Sequence, residues 1–330
     1  MTASREWLAI PRKVSLILAI ALMAGAAPLS AQTYPARSIR FLVGFPPGGG
    51  SDIMARSVSQ RLSEGLGRQV VVDNRPGANA NIAAETAARS LPDGYTMVLI
   101  SAPHAVSKVL YRSLAYDLQK DLTPIALLGT VPHALIVHPS LPAKSVKELV
   151  SLARAKSGQL TVASAGVGAT DHIAAEMFAS MAKVKYLHVP YKGSGPALVD
   201  LVSGQVVVMF ASMPSAVPYV RNGRVRSLAV TGAKRAEVMP EIPTIAESGL
   251  PGYELTTWYG IMFPAGTPKE IVTRMNNEIN RAISLPDVRE RLAAVGAEPL
   301  GGTPEAYGAV IKSDVARFTK LVKDAGIQAE

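Results

Sequence analysis

The chain has 330 residues, of which 48% are apolar and 18% charged, with a net charge of +9 and no cysteine. That apolar share supplies a buried core, which excludes wholesale disorder. The lack of cysteine excludes a disulfide scaffold, a thiol nucleophile, a thiolate zinc site and a lipid-modified N-terminal cysteine. The basic residues do not cluster, so the charge predicts a solvated surface and no nucleic-acid partner.

The N-terminal segment 1–31 has the pattern of a secretory signal peptide. Basic residues up to Lys13 precede the apolar run 14–27, and small residues follow up to Ala31. A membrane span needs about 20 apolar residues, and Pro28 ends this run too early. The sequence therefore predicts export to the periplasm, cleavage after Ala31, and a soluble mature protein without a lipid anchor.

Beyond residue 31, short β-branched runs alternate with stretches whose apolar residues recur every three or four positions. This alternation is typical of an α/β protein with mainly parallel sheets flanked by helices. The predicted strands are 39–45, 69–73, 96–101, 123–128, 134–138, 160–165, 187–191, 206–211, 225–231 and 256–263. Predicted helices include 145–156, one opened by the capping box Thr267-Pro268-Lys269-Glu270, and a last one from about Thr303 to Asp324.

Two predicted strand-to-helix junctions are rich in glycine. The first glycine loop (residues 44–52) reads Gly44-Phe45-Pro46-Pro47-Gly48-Gly49-Gly50-Ser51-Asp52, and the second (residues 164–172) reads Ser164-Ala165-Gly166-Val167-Gly168-Ala169-Thr170-Asp171-His172. Glycine lets a backbone approach a ligand closely, and we expect a serine or threonine to cap each following helix. Helix N-termini offer free N–H groups and the positive end of a dipole. The two loops together predict a cleft that binds a small anion.

Known catalytic and nucleotide-binding motifs are absent from the sequence. The first loop has no P-loop lysine, Asp171 replaces the third glycine of a dinucleotide fingerprint, and no G-x-S-x-G occurs. The histidines form neither H-x-H nor H-E-x-x-H and are interpreted as scattered surface or core residues: His104, His133, His138, His172 and His188. The sequence predicts no catalytic residue, no metal and no cofactor. An exported enzyme with His172 or His188 as base, paired with Asp52 or Asp171, is the alternative.

The ordered motifs from about residue 34 to the C-terminus resemble the Bug (TctC-like) family, the periplasmic substrate-binding receptors of tripartite tricarboxylate transporters. They are Pro46-Pro47-Gly48-Gly49-Gly50-Ser51-Asp52, Val72-Asp73-Asn74-Arg75-Pro76-Gly77-Ala78, Pro92-Asp93-Gly94-Tyr95-Thr96, Ser164-Ala165-Gly166-Val167-Gly168, Val189-Pro190-Tyr191-Lys192-Gly193, Gly249-Leu250-Pro251-Gly252-Tyr253-Glu254, Trp258 and Pro264-Ala265-Gly266-Thr267-Pro268.

The resemblance implies a two-lobed periplasmic binding fold that closes on its ligand. Lobe 1 would combine 32–131 with 256–330, and lobe 2 would be 132–255. The implied ligand is a small carboxylate, dicarboxylic or aromatic, and the implied partners are the membrane components of a tripartite transporter, with the receptor itself a monomer. The ligand-binding residues that the resemblance and the loops suggest are Phe45, Pro47, Gly48, Gly49, Ser51, Asp52, Asn81, Ser101, Ser164, Ala165, Gly166, Gly168, Ala169, Thr170, Tyr191, Ser212 and Trp258.

Some positions depart from the family pattern. Val207 stands where the family often has Asp, Ala211 stands where it often has Asp or Gly, Asn79-Ala80 replaces a usual Gly-Gly, and Ala169 replaces a Ser or Thr. The missing acids favour a plain carboxylate over an amino acid. A receptor that signals to a membrane kinase remains an alternative to one that feeds a transporter, because both would use the same cleft.

Overall fold

The computed structural model describes residues 34–111 and 113–324, so the predicted signal peptide lies outside the described residues. The described strands are β1 (Ile39–Val43), β2 (Val70–Asn74), β3 (Thr96–Ser101), β4 (Leu122–Val137), β5 (Thr161–Ser164), β6 (Leu187–Pro190), β7 (Val208–Ser212), β8 (Arg226–Val230), β9 (Thr256–Pro264) and β10 (Glu298–Pro299). The described α-helices are α1 (Gly50–Leu66), α2 (Asn81–Ala88), α3 (Ala102–Leu110), α4 (Val146–Ala155), α5 (Thr170–Ala182), α6 (Ser194–Ser203), α7 (Met213–Arg221), α8 (Lys269–Ser284), α9 (Pro286–Ala294) and α10 (Pro304–Asp324).

The strands form one continuous path, in the order β2-β1-β3-β9-β4-β7-β5-β6, with β10 and β8 pairing with β4 beside it. Parallel pairs join β1 to β2 and β3, and β5 to β6 and β7. The pairs that involve β4 or β9 are antiparallel. The α/β class with helix-flanked sheets is therefore confirmed, and the helices that reach the site described below all follow strands that have a parallel neighbour.

Strand β4 takes part in both halves of this path. Its residues up to Pro132 pair with β9, and those from His133 onward pair with β7 and β8. The two predicted strands 123–128 and 134–138 are wrong as separate elements, because a single strand spans both. Gly129 allows β10 to pair closely with β4, since a Cβ there would lie 2.3 Å from the Glu298 carbonyl oxygen of β10.

Helix ends follow the sequence patterns in two cases and depart from them in one. The Ser145 hydroxyl accepts from the Glu148 amide at 3.2 Å and caps α4, and α10 begins at Pro304 as predicted. The capping box at Thr267 is wrong. Pro268 is the N-cap of α8, and the Thr267 hydroxyl donates instead to the Pro264 carbonyl at 2.7 Å.

The core is built from the alternating faces of the strands and the apolar stripes of the helices. On α8 the residues Val272, Met275, Ile279 and Ile283 are buried and form an apolar stripe. Within the described residues, no helix combines the length and the apolar character that crossing a membrane requires. The lobe boundaries 32–131 plus 256–330 and 132–255 stay a prediction, because they concern which residues move together.

Candidate ligand-binding site

Five helix N-termini converge on one cleft. Each of these helices follows a strand, and its first residues or its N-cap line the cleft: Gly49, Gly50 and Ser51 at α1, Ser101 and Pro103 at α3, Ala169, Thr170 and Asp171 at α5, Ser194 at α6, and Ser212 at α7. The empty space amounts to about 410 Å³, including the part open to solvent at the mouth.

The first glycine loop is fixed by Asp52, which is 4% exposed. Its carboxylate accepts from the Gly48 amide at 3.1 Å, from the Arg56 guanidinium at 2.9 Å and from the Asn74 amide at 3.0 Å. Burial on its own would raise the pKa of Asp52, but these hydrogen bonds and the Arg56 charge outweigh it and hold the pKa below its usual value. Asp52 therefore holds the first glycine loop in its conformation.

The second glycine loop is fixed in the same way from inside α5. Asp171 accepts from the Ala165 amide at 2.7 Å, and Nδ1 of His172 accepts from the Gly168 amide at 3.1 Å. Gly166 and Gly168 have φ values of 143° and 76°, which favour glycine. Burial raises the pKa of Asp171 to about 6.

The expectation that a serine or threonine caps each of these helices is wrong. The N-caps are Gly49 and Ala169, and neither makes a side-chain capping bond. Asp52 and Asp171 inside the first turns hold the loops instead. The N–H groups at the very start of each helix are thereby left to face the cleft, where a ligand can bind them.

The cleft floor consists of His133, Ser212, Thr257 and Tyr259, at the region where β4, β7 and β9 meet. The Tyr259 hydroxyl bonds to Ser51 and Ser212, although burial still raises its pKa. Nδ1 of His133 and the Thr257 hydroxyl are buried with no hydrogen-bond partner. Burial lowers the pKa of His133 to about 3, so its imidazole is neutral at physiological pH.

Two histidines stack behind the second loop. The rings of His172 and His188 lie 3.9 Å apart and 6° from parallel, and Nε2 of His188 lies 2.7 Å from the Ser164 hydroxyl. Burial, together with the neighbouring His172, lowers the pKa of His188 to about 4. Ser164, His172 and His188 do not line the cleft. The stacked rings and the contact between His188 and Ser164 support the second loop from outside the cleft lining.

Neutral donors and helix dipoles dominate the electrostatics of the cleft. Among the described residues, no lysine or arginine lines it, and Asp171 is the acidic residue that does. Each helix N-terminus carries about half a positive elementary charge. Positive potential therefore comes from oriented backbone groups, which can bind a carboxylate without a cationic side chain. In the part of the chain that the structure describes, no group of three or more His, Asp or Glu residues is placed to hold a metal ion.

Eight of the predicted site residues line the cleft: Phe45, Gly49, Ser51, Ser101, Ala165, Ala169, Thr170 and Ser212. Nine do not: Pro47, Gly48, Asp52, Asn81, Ser164, Gly166, Gly168, Tyr191 and Trp258.

Besides the loop residues described above, three of these nine have clear structural partners: Trp258, Asn81 and Tyr191. The indole N–H of Trp258 donates to Asp314, because successive strand residues face opposite sides and Thr257 and Tyr259 take the cleft side. The side chain of Asn81 joins the Ala78 carbonyl to the Tyr116 hydroxyl. The Tyr191 hydroxyl donates to Asp200 at 2.7 Å.

The sequence did not predict seven of the lining residues: Gly50, Pro103, His133, Asp171, Ser194, Thr257 and Tyr259. Gly50 and Asp171 lie inside the two glycine loops, so the loops themselves carried the signal for them. Strand alternation around Trp258 could have indicated Thr257 and Tyr259. His133 had no local signal, since its position depends on which strands pair with β4.

A family model agrees with this architecture. The model of the tripartite tricarboxylate transporter family receptor, TctC, matches residues 54–327. The chain is 41% identical over 297 residues to the UPF0065 protein in the tcbD-tcbE intergenic region of Pseudomonas sp. (strain P51), covering 90% of this chain and 88% of that protein. It is 38% identical over 303 residues to protein BugT of Bordetella pertussis, covering 91% and 93% of the two chains.

Solved structures agree as well. The R. palustris protein Rpa4515 with adipate has a TM-score of 0.88 at 39% identity, and periplasmic binding protein BugD has 0.87 at 34%. Both comparisons cover 90% of this chain and 100% of the other. MatC from Rhodopseudomonas palustris with bound malate has a TM-score of 0.83 at 33% identity, covering 88% of this chain and all of that one. The chain therefore belongs to the TctC (Bug) family of solute-binding proteins, as its sequence motifs indicated, and has the two-lobed fold of periplasmic binding proteins.

Proposed function

We propose that this protein is a periplasmic receptor that captures a small carboxylate in the cleft and delivers it to the membrane components of a tripartite tricarboxylate-type transporter. Export would use the signal peptide predicted at residues 1–31, and the mature receptor would act as a monomer. The cleft binds and releases its ligand without a chemical step.

The observation that carries this proposal is the convergence of five helix N-termini on a cleft whose described lining has no lysine or arginine. Backbone N–H groups bind a carboxylate strongly when water is excluded. Micromolar affinity requires about −8 kcal/mol, which for a ligand of about 10 heavy atoms lies within the usual limit per atom. Side-chain cations are therefore not needed for useful affinity.

The contacts of the site residues assign them different roles. We infer that the N–H groups at Gly49 and Gly50 of the first loop, and at Thr170 of the second, bind the carboxylate. Asp52 and Asp171 hold these loops through the hydrogen bonds described above. The remaining residues that do not line the cleft, such as Trp258, act on the fold alone.

Closure of two lobes about the cleft is part of the proposal, with lobe 1 as 32–131 plus 256–330 and lobe 2 as 132–255. The change of strand partner along β4 at Pro132 and His133, and the start of β9 at Thr256, support these boundaries. A Cβ at Gly193 would lie 2.6 Å from Cδ of Pro46, which indicates a tightly closed cleft. A ligand favours closure only through contacts that the open form lacks.

The ligand class rests on the helix N-termini and on the relatives. Rpa4515 was solved with adipate and MatC with malate, and both are small carboxylates. The two oxygens of Asp171 already accept the Ala165 and His172 amides, which leaves this acid poorly placed to receive a ligand ammonium group. We therefore favour plain carboxylates over amino acids.

The test is a thermal-shift screen of the protein beginning at Gln32, with small carboxylates and the neutral amide of each as its control. A carboxylate at 100 times its Kd should stabilise the fold by about 2.7 kcal/mol, while its amide should not. Mass spectrometry of the unfolded sample reveals any ligand that co-purifies and masks the shift. Equal shifts with acids and amides, or no shift and no co-purified acid, would contradict the carboxylate assignment.

Delivery to a transporter needs a separate experiment in the source strain. Deleting the gene of this protein should abolish uptake of the labelled carboxylate found by the screen, and a plasmid copy should restore it. A Gly308→Ala copy is the matched control, since this helical glycine lies in α10, away from the cleft. Unchanged uptake after deletion would contradict a role in transport.

A further inference from the structure

The cleft floor contains two polar groups that the protein leaves unpaired. Nδ1 of His133 and the hydroxyl of Thr257 are buried without a hydrogen-bond partner, in residues that are 3% and 2% exposed. Of the described residues with such atoms, these two line the cleft. Leaving a buried polar group unpaired is unfavourable, so a bound molecule that pairs with both would be favoured.

The sheet register places the two side chains next to each other. Thr257 on β9 is opposite Val131 on β4, and His133 follows two residues later on the same face of β4. Residues related in this way are diagonal neighbours. His133 is also directly opposite Ser212 of β7, whose hydroxyl bonds to Ser215. Both unpaired groups therefore lie on the same part of the cleft floor, where one ligand group is a candidate partner for both.

The site is close to the first glycine loop. A Cβ at Gly50 would lie 2.4 Å from the Ser212 hydroxyl oxygen and 2.9 Å from that of Tyr259. The start of α1 thus lies directly against the cleft floor. One small molecule can therefore place a carboxylate at the helix N-termini and a second group at His133 and Thr257.

The charge of the surroundings limits what the second group can be. Threonine is neutral, the His133 imidazole is neutral at physiological pH because burial lowers its pKa to about 3, and no lysine or arginine of the described residues lines the cleft. A second buried anion would be poorly compensated here. A hydroxyl group both donates and accepts, so it can pair with the threonine hydroxyl and with either tautomer of the imidazole.

We propose that His133 and Thr257 form a specificity site for a hydroxyl group on the ligand, so that the receptor prefers hydroxycarboxylates over the same acids without the hydroxyl. This inference rests on the proposed function, since it assumes that a carboxylate occupies the helix N-termini. His133 and Thr257, which hold neither glycine loop, would then determine which carboxylates the receptor prefers.

The experiment compares acids that differ by one hydroxyl group. Isothermal titration calorimetry would measure Kd for malate and succinate, 3-hydroxybutyrate and butyrate, and 4-hydroxybenzoate and benzoate. In at least one pair we expect the hydroxy acid to bind about tenfold or more tightly, the effect of one good neutral hydrogen bond. The Thr257→Val variant keeps the side-chain shape and should remove that preference, with the affinity for the acid lacking the hydroxyl retained.

Further variants separate this role from general damage to the fold. Thr257→Ser retains the hydroxyl and should retain the preference, whereas His133→Leu should lose it. His138→Asn, one residue beyond the end of β4 and outside the cleft, should bind both acids of a pair as the wild type does. The melting temperature of ligand-free Thr257→Val should equal or exceed that of the wild type, because an unpaired buried hydroxyl is removed.

The possible failures are distinguishable. Equal binding within every pair, or a preference that survives Thr257→Val, overturns the specificity site and leaves the carboxylate receptor intact. Failure of every carboxylate to bind, with none co-purified, contradicts the proposed function and this inference together.

Discussion

Replacing Gly50 by alanine should weaken ligand binding while leaving the ligand-free fold at least as stable. The new Cβ would lie 2.4 Å from Oγ of Ser212, 2.9 Å from the Tyr259 hydroxyl oxygen and 3.2 Å from Cβ of Ser212. Rotating the Ser212 hydroxyl would relieve the shortest contact, but it would break the 3.1 Å bond to Ser215 and leave the Cβ contact. The start of α1 must therefore move away from β7.

The magnitude follows from the cost of overpacking. Inserting a methyl group into a packed contact typically costs about 1–3 kcal/mol. If closure brings Gly50 and Ser212 together, that cost falls on the bound state, and Kd should rise about 5- to 150-fold. Alanine is a better helix residue than glycine, so the stability of the ligand-free protein should not fall.

The assay is calorimetric titration of Gly50→Ala with a carboxylate that the wild type binds, together with thermal melting without ligand. Gly308→Ala is the matched control, because it makes the same change in α10, where the nearest atom to a new Cβ is Cγ of Pro124 at 3.8 Å. Adding Ser212→Ala to Gly50→Ala should recover part of the affinity in a double-mutant cycle. If Gly50→Ala bound the carboxylate with wild-type affinity, closure would not pack α1 against β7.

Three further predictions concern charge and packing. Burial raises the pKa of Asp171 to about 6, so this acid becomes neutral as the pH falls from 7 to 5. Carboxylate affinity should therefore increase over that range, and the affinity of Asp171→Asn should change less with pH. Asp52 has a lowered pKa, so its contribution to stability is present above the ordinary carboxyl pKa near 4 and is lost as the pH falls through the lower folded value. Acid unfolding followed by circular dichroism should show a smaller loss in Asp52→Asn, from a lower starting stability. Trp258→Phe should lower stability by about 1–3 kcal/mol through loss of the bond to Asp314, with Kd unchanged, and an altered Kd would return Trp258 to the ligand site.

The glycine loops show how much of the site the sequence could predict. Loop composition after a buried strand indicates a helix N-terminus near the carboxyl end of that strand, and parallel strands bring such ends together. This local rule predicted Gly49, Ser51 and Thr170 at the cleft, where the structure places them.

The floor of the cleft depends on pairings that local patterns do not determine. His133 lies there because β4 exchanges β9 for β7 and β8 at that residue, and the two predicted strands 123–128 and 134–138 concealed this exchange. Trp258 was a candidate for ligand contact because aromatic residues often stack on ligands, but strand alternation turns it toward Asp314. The capping expectations for α1 and α5 failed because acidic residues in the first turns of these helices hold the loops instead.

The central claim is that neutral backbone groups at the helix N-termini of the cleft bind a carboxylate. Calorimetric titration of the wild type with the carboxylate found by the screen and with its carboxamide tests this most directly, because the two ligands differ chiefly in charge. We expect a Kd at least about a hundredfold lower for the acid, because the carboxylate would accept several charge-assisted hydrogen bonds. Equal affinities would contradict it, since the cleft would then recognise shape and not the anion.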